Sequence, residues 1–218
     1  MGSQKRNLAP LSGALFVVLV LIAFIPLGGN TPEGDDSAQK VVSFYSDHET
    51  REILASIVLA LGAVSLLFFS ATLKQRLEAL ERDRGILPTV AFGAGIVASG
   101  GFLAAASLHF ALADYAGDIQ PSAAQALNAI DSDFFLPFAM GIAALVLATS
   151  LWLVRTKLLL PTWLGWVGIV LFVVSFTPVG FLAFGLAGIW IVVVSILLYL
   201  REETAPVRAP VAGPQTPD

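Results

Sequence analysis

The residues able to do chemistry in this chain are few and crowd into two segments. Histidine occurs only at positions 48 and 109. His48 sits among Asp47, Glu49 and Glu52, whereas His109 precedes Asp114, Asp118, Asp131 and Asp133. Imidazole and carboxylate together can hold a divalent cation such as zinc. The candidate ligands are therefore His48, His109, Asp47, Glu49, Asp131 and Asp133. Their spacing is not that of a local ligand motif, since HxxxH, HxH and HExxH are all absent.

Each member also has a plainer role open to it. Ser46-x-x-Glu49 reads as a capping box, Asp131 or Ser132 can cap the next helix, and Asp133 complements that helix's dipole. Ser99, followed by Gly100, is the serine best suited to pair with His109. Ten helical residues separate them by ~15 Å along the axis, so a nucleophile–base pair between them is excluded. With no cysteine, thiolate metal sites, CxxC redox chemistry and disulfides are excluded too. Phosphate loops, dinucleotide fingerprints and nucleic-acid patches are missing as well. The sequence thus predicts no catalytic residue, no cofactor and no nucleic-acid partner.

The elements that must position these groups follow from hydropathy. Apolar residues make up 56% of the chain and charged ones 13%, about half the ~25% usual in soluble domains. A bilayer accommodates such a surplus because lipid solvates the outer helix faces. Runs of about 20 apolar residues, enough for ~30 Å of hydrocarbon, occur at Leu8–Leu27, Ile53–Leu73, Leu87–Ala113, Phe134–Val154, Leu160–Val179 and Phe181–Leu200. Apart from tyrosine, the one ionisable side chain within them is His109. The fold class expected is all-α: a polytopic membrane protein with a bundle of six transmembrane helices over residues 1–200. The tail Arg201–Asp218, rich in Pro and Ala, is expected to be disordered and cytoplasmic.

Orientation is predicted by the basic residues. With the N-terminus inside, all of the 12 lysines and arginines except Lys40 and Arg51 fall on the cytoplasmic side. Both termini are then cytoplasmic. Lys5 and Arg6 before the first apolar run suit a signal peptide, but no A-x-A cleavage pattern follows, so that run is expected to stay as a span.

Two longer connections, Gly28–Glu52 and Asp114–Asp133, face outward, and each is expected to hold a short amphipathic helix. In the first, Ala38, Val41, Val42 and Tyr45 share a face; in the second, Ser122-x-x-Gln125 fits a capping box before Ala124, Leu127 and Ile130. An offset of 86 residues aligns Ala38-Gln39 with Ala124-Gln125 and Ser46-Asp47 with Ser132-Asp133. This suggests a repeat of the first two spans in the next two. Thr177-Pro178-Val179-Gly180 predicts a tight turn and a close hairpin of the last two spans.

Span three carries Gly93, Gly95, Ser99, Gly100, Gly101, Ala105 and Ser107. These small residues mark it as the packing centre, or as a contact face for a protein partner or second copy. Trp152, Trp163 and Trp166 are expected to form an aromatic belt at the cytoplasmic interface.

The six-span plan, Leu160-Pro161-Thr162-Trp163-Leu164-Gly165-Trp166 and Asn128-Ala129-Ile130-Asp131-Ser132-Asp133-Phe134-Phe135 resemble small bacterial integral membrane proteins of a family of unknown function. That resemblance implies a bacterial inner-membrane location and no assigned activity. The function expected is non-enzymatic, an accessory protein binding membrane lipid or a partner. The alternative is a permease for a small apolar or cationic solute.

Overall fold

A computed structural model describes residues 7–80 and 85–202 of the chain. Every regular element in them is helical. The helix α1 (Ser12–Ile22) follows a tight turn at Ala9–Leu11 and ends in a widened turn, Ala23–Leu27. Then come α2 (Ala38–Leu80), α3 (Leu87–Tyr115), α4 (Pro121–Asp133), α5 (Leu136–Thr156), α6 (Thr162–Val174) and α7 (Gly180–Glu202). All the predicted apolar runs are helical. Five stretches are long and apolar enough to cross a membrane, namely Ala9–Leu27, α2, α3, Pro121–Thr156 and α7, while α6 is an apolar helix of 13 residues.

The shortness of α6, set against the 20-residue span expected, has local causes. Pro161 disfavours helical geometry in the residue before it. At the other end the hydroxyls of Ser175 and Thr177 donate to the carbonyls of Leu171 and Val174, closing the last turn before Pro178. The expected hairpin with α7 forms, and the Trp190 indole donates to the Leu164 carbonyl at 2.9 Å. Yet α6 leans more heavily on α5 than on α7.

The first outer segment departs from expectation. Its amphipathic part does not form a separate helix but runs unbroken into the second span, giving α2 43 residues. At 1.5 Å per residue α2 is ~65 Å long, about twice the hydrocarbon thickness. No helix begins at Ser46, so Ser46-x-x-Glu49 caps nothing. In the second segment α4 does form, but it starts at Pro121 with no side-chain cap, and Ser122-x-x-Gln125 does not serve as one. Nor do Asp131 and Ser132 cap α5, which begins after Phe135 without a side-chain cap. The 86-residue offset therefore aligns a continuous helix with one broken at Phe134.

The helix α3 is central, packing most extensively on α2 and α5. A Cβ added at Gly101 would lie 2.6 Å from the Phe138 backbone nitrogen, and one at Gly141 would lie 2.5 Å from that of Ala98. Such close crossing is how membrane helices gain packing without a hydrophobic drive. Gly93 and Gly100 face open space instead.

Leu, Ile, Val and Phe on the outward faces of the helices are extensively exposed, as for Phe68, Ile96, Val170 and Ile189. Trp163 and Trp166 are exposed as a belt requires, but Trp152 is not part of it, since it lies buried in the core. The start of α1 meets the end of α7, where the Ser195 hydroxyl donates to the Pro10 carbonyl and accepts from the Ala14 N–H. α7 continues through Arg201 and Glu202, and the Arg201 guanidinium donates to the Leu159 carbonyl. The rest of the predicted tail lies outside the described residues. This end of the bundle carries Lys74, Arg76, Arg155, Lys157 and Arg201 and is the basic end. The loop 28–37, the start of α2 and α4 form the acidic end.

Candidate functional site: a charged clasp and cavity at the acidic end

The periodicity that puts Val41 and Tyr45 on one face of α2 continues to Glu52, Ala55, Ser56 and Leu59. All six are buried. Val41 and Tyr45 join Leu112, Ala113, Ala116 and Ala124 in a small apolar core between α2, the end of α3 and α4. A carboxylate at position 52 is thus carried into the protein, where an ion without a partner is costly.

Glu52 has those partners. Its Oε1 accepts from Arg51 Nε at 3.0 Å and from Arg51 Nη2 at 2.7 Å. Its Oε2 lies 3.1 Å from His109 Nε2, and the other ring nitrogen, Nδ1, lies 2.6 Å from Asp131 Oδ2. Carboxylates only accept, so both contacts are satisfied when both ring nitrogens carry protons. His109 then donates on each side as an imidazolium between two carboxylates. The result is a chain of alternating charge, Arg51–Glu52–His109–Asp131, that ties α2, α3 and α4 together. The Tyr45 ring packs edge-on against the imidazole, with centroids 5.7 Å apart.

A second set of bonds straps the loop beneath α4. Asn128 Nδ2 donates to the Glu33 carbonyl at 2.8 Å, and Gln125 Nε2 donates to that of Asp36 at 2.8 Å. Asp36 in turn accepts from Lys40 Nζ and from the Glu33 N–H, each at 2.8 Å. The Lys40 hydrogen bond holds the Asp36 carboxyl below the usual range.

Beside the clasp opens a cavity of about 280 Å³ between the end of α1, α2, α3 and the junction of α4 with α5. Its apolar wall includes Ala23, Phe24, Leu59, Ala105 and Phe138, and its polar wall Ser56, His109, Asp131 and Ser132. Behind the Phe138 wall lies an aromatic cluster. Phe102, fully buried, stacks on Phe138 at 4.4 Å and meets Phe16 edge-on at 5.4 Å. Phe24 and Phe138 also border two further apolar clefts, one between α1 and α7 and one along α5 and the α6–α7 turn.

Of the six residues proposed from sequence, the structure brings two together, His109 and Asp131. His48 is elsewhere: its Nδ1 donates to the Phe44 carbonyl at 2.8 Å and its ring stacks on Phe44. Asp47, Glu49 and Asp133 are exposed. Among the described residues no group of three or more His, Asp or Glu is arranged to hold a metal ion. Sequence reasoning missed Glu52, Arg51, Tyr45 and Asn128. The signal was present for Glu52, because extending the Val41–Tyr45 face by seven residues reaches it.

Fold and site together define an α-helical multi-pass membrane protein with a buried charge cluster and a lateral cavity at one end. No family profile, curated protein or solved structure matches the chain.

Proposed function

We propose that this chain is a non-enzymatic bacterial inner-membrane protein that holds an amphiphilic membrane molecule in the lateral cavity, basic end toward the cytoplasm. The observation that carries this reading is the two-sided lining of one cavity. Asp131, Ser132 and His109 stand at its polar wall and Phe24, Leu59 and Phe138 at its apolar one. Ligand sites typically combine a mainly apolar wall with a few placed polar groups. The clefts bordered by Phe24 and Phe138 continue the apolar surface, as a hydrocarbon tail requires.

The orientation rests on the basic residues of the sequence. A permease needs a path to the other end of the bundle, and the close packing of Phe16, Phe102 and Phe138 beside the cavity supports holding instead. Holding is therefore favoured over passage.

The test is purification of the full chain in mild detergent, then solvent extraction and mass spectrometry of what stays bound. Ala105→Leu fills the cavity without replacing a charged group. The wild type should retain an amphiphile that this variant loses, with the far-UV circular dichroism of the two unchanged. Equal retention by both would place the bound molecule elsewhere and defeat the reading.

A further inference from the structure

The cavity's polar wall has a donor–acceptor imbalance that selects its ligand. Both ring nitrogens of His109 are engaged by carboxylates, Nδ1 by Asp131 and Nε2 by Glu52. The Ser56 hydroxyl donates to the Glu52 carbonyl at 3.0 Å, and that of Ser132 donates to the Asn128 carbonyl at 2.8 Å. Each of these serine oxygens then has only lone pairs left to offer. Asp131 uses Oδ2 for His109 at 2.6 Å, and its Oδ1 has no protein partner among the described residues. Among the described residues no lysine or arginine lines the cavity, and Arg51 is turned to Glu52 and the Phe44 ring. The Tyr45 hydroxyl, also on the lining, points to Asn128 Oδ1 at 3.5 Å, and the Thr31 hydroxyl can donate as well as accept. The charged and serine groups present acceptors, with a carboxylate oxygen among them.

A phosphate or carboxylate headgroup would bring further acceptors and negative charge to this wall. A protonated amine brings donors and the opposite charge. We propose that the cavity is a binding site for an amine-bearing amphiphile, its ammonium on Asp131 Oδ1 with Ser132 and Ser56 as further acceptors. Its hydrocarbon runs past Phe24 or Phe138 into the adjoining clefts. This assignment rests on the cavity reading above and adds the headgroup chemistry to it.

The source of the amine is either a simple long-chain amine or the ethanolamine headgroup of a phospholipid. In the second case the phosphate must stay outside the cavity, since the one cation on the lining, His109, has both ring N–H groups engaged by Asp131 and Glu52. The experiment uses the full chain in mild detergent with probes of equal chain length: dodecylamine, dodecanol, dodecanoate and dodecyl phosphate. Binding is read by calorimetry. In parallel, native mass spectrometry compares phosphatidylethanolamine with phosphatidylglycerol.

Dodecylamine should bind most tightly, and Asp131→Asn should weaken it roughly 10- to 100-fold, the worth of a hydrogen bond to a charged group. Dodecanol should be much less affected. Preference for dodecylamine alone assigns a simple amine; preference for phosphatidylethanolamine over phosphatidylglycerol assigns the lipid headgroup, and either supports the proposal. Anionic probes bound as tightly as dodecylamine by wild type overturn it, even if Asp131→Asn fails to fold. If Ala105→Leu binds every probe as wild type does, the cavity reading itself fails.

Discussion

The buried clasp makes a quantitative demand on stability. Glu52→Gln keeps shape and volume, but the new amide must turn either its oxygen or its nitrogen toward His109. If the oxygen faces His109, Arg51 loses its acceptor; if the nitrogen does, two donors oppose each other. Removing one member of a buried ion pair costs about 3–5 kcal/mol when the remaining charge cannot reach solvent. Arg51 can: its side chain is 36% exposed, so its share should be within the ~0–1 kcal/mol of a surface pair. His109, 16% exposed, keeps Asp131. The loss expected is therefore about 2–3 kcal/mol for Glu52→Gln and a similar loss for His109→Gln.

In a chain of this length, about 2–4 °C per kcal/mol converts the expected loss to a fall of roughly 4–12 °C. Far-UV circular dichroism of the full chain in mild detergent would follow the melt. The double variant is decisive. Two neutral amides can bond each other, so it should be less damaging than the two singles together by at least ~1 kcal/mol, where independent sites add to within about 0.5 kcal/mol. Strict additivity would mean that Glu52 and His109 do not support each other, and the clasp would have no energetic content.

Three other expectations concern parts that position the clasp. Gly101→Val drives a side chain into the backbone of Pro137 and Phe138; overpacking of this sort costs about 1–3 kcal/mol, and the melt should fall while Gly100→Ala, facing open space, leaves it unchanged. Ser195→Ala removes the donor to Pro10 and the acceptor for Ala14, so hydrogen exchange should rise at Ala14 and its neighbours at a cost of ~1–3 kcal/mol. The Asp36–Lys40 contact should weaken in acid. Asp36's folded value is depressed, so its contribution is present above the ordinary carboxylate range and is lost as pH falls through the lowered value. Exchange of the Glu33 amide, which donates to Asp36, should quicken over that window, and Lys40→Met should move the window to higher pH.

Most of the fold was legible because hydropathy is a long-range, redundant signal: every apolar run proved helical even where its ends shifted. What failed was punctuation. Ser46-x-x-Glu49, Ser122-x-x-Gln125 and Asp131-Ser132 each have cap-like spacing, yet none caps a helix. Gln125 reaches Asp36 instead, Asp131 reaches His109, and Ser132 bonds the Asn128 carbonyl. A cap motif is a local pattern: tertiary partners take Gln125 and Asp131, Ser132 turns back to its own helix, and Ser46 lies inside a continuous helix with no N-terminus to cap. Trp152 shows the same override, drawn into the core where an interfacial place was expected. The site was half legible. Residue type pointed to His109 and Asp131, but Glu52 looked like one more acidic loop residue until α2 proved continuous through it.

That continuity also explains why the clasp and the cavity are one device. Had α2 begun near Ser46, Glu52 would lie only in its second turn, without the Val41–Tyr45 face to fix it. As a residue well inside a 43-residue helix, it is fixed by the Val41–Tyr45 face and must meet α3, where His109 supplies the partner. His109 in turn needs its second nitrogen satisfied, and α4 brings Asp131 to it. Each step uses up a donor. By the time the charges are matched, the charged and serine groups left toward the cavity are the unshared oxygen of Asp131 and hydroxyls that already donate elsewhere. The acceptor-rich wall is thus a consequence of stabilising a buried carboxylate with a histidine and a second carboxylate. Substitutions at Glu52 should therefore lower stability and headgroup preference together, whereas Ala105→Leu should abolish binding with the far-UV circular dichroism unchanged.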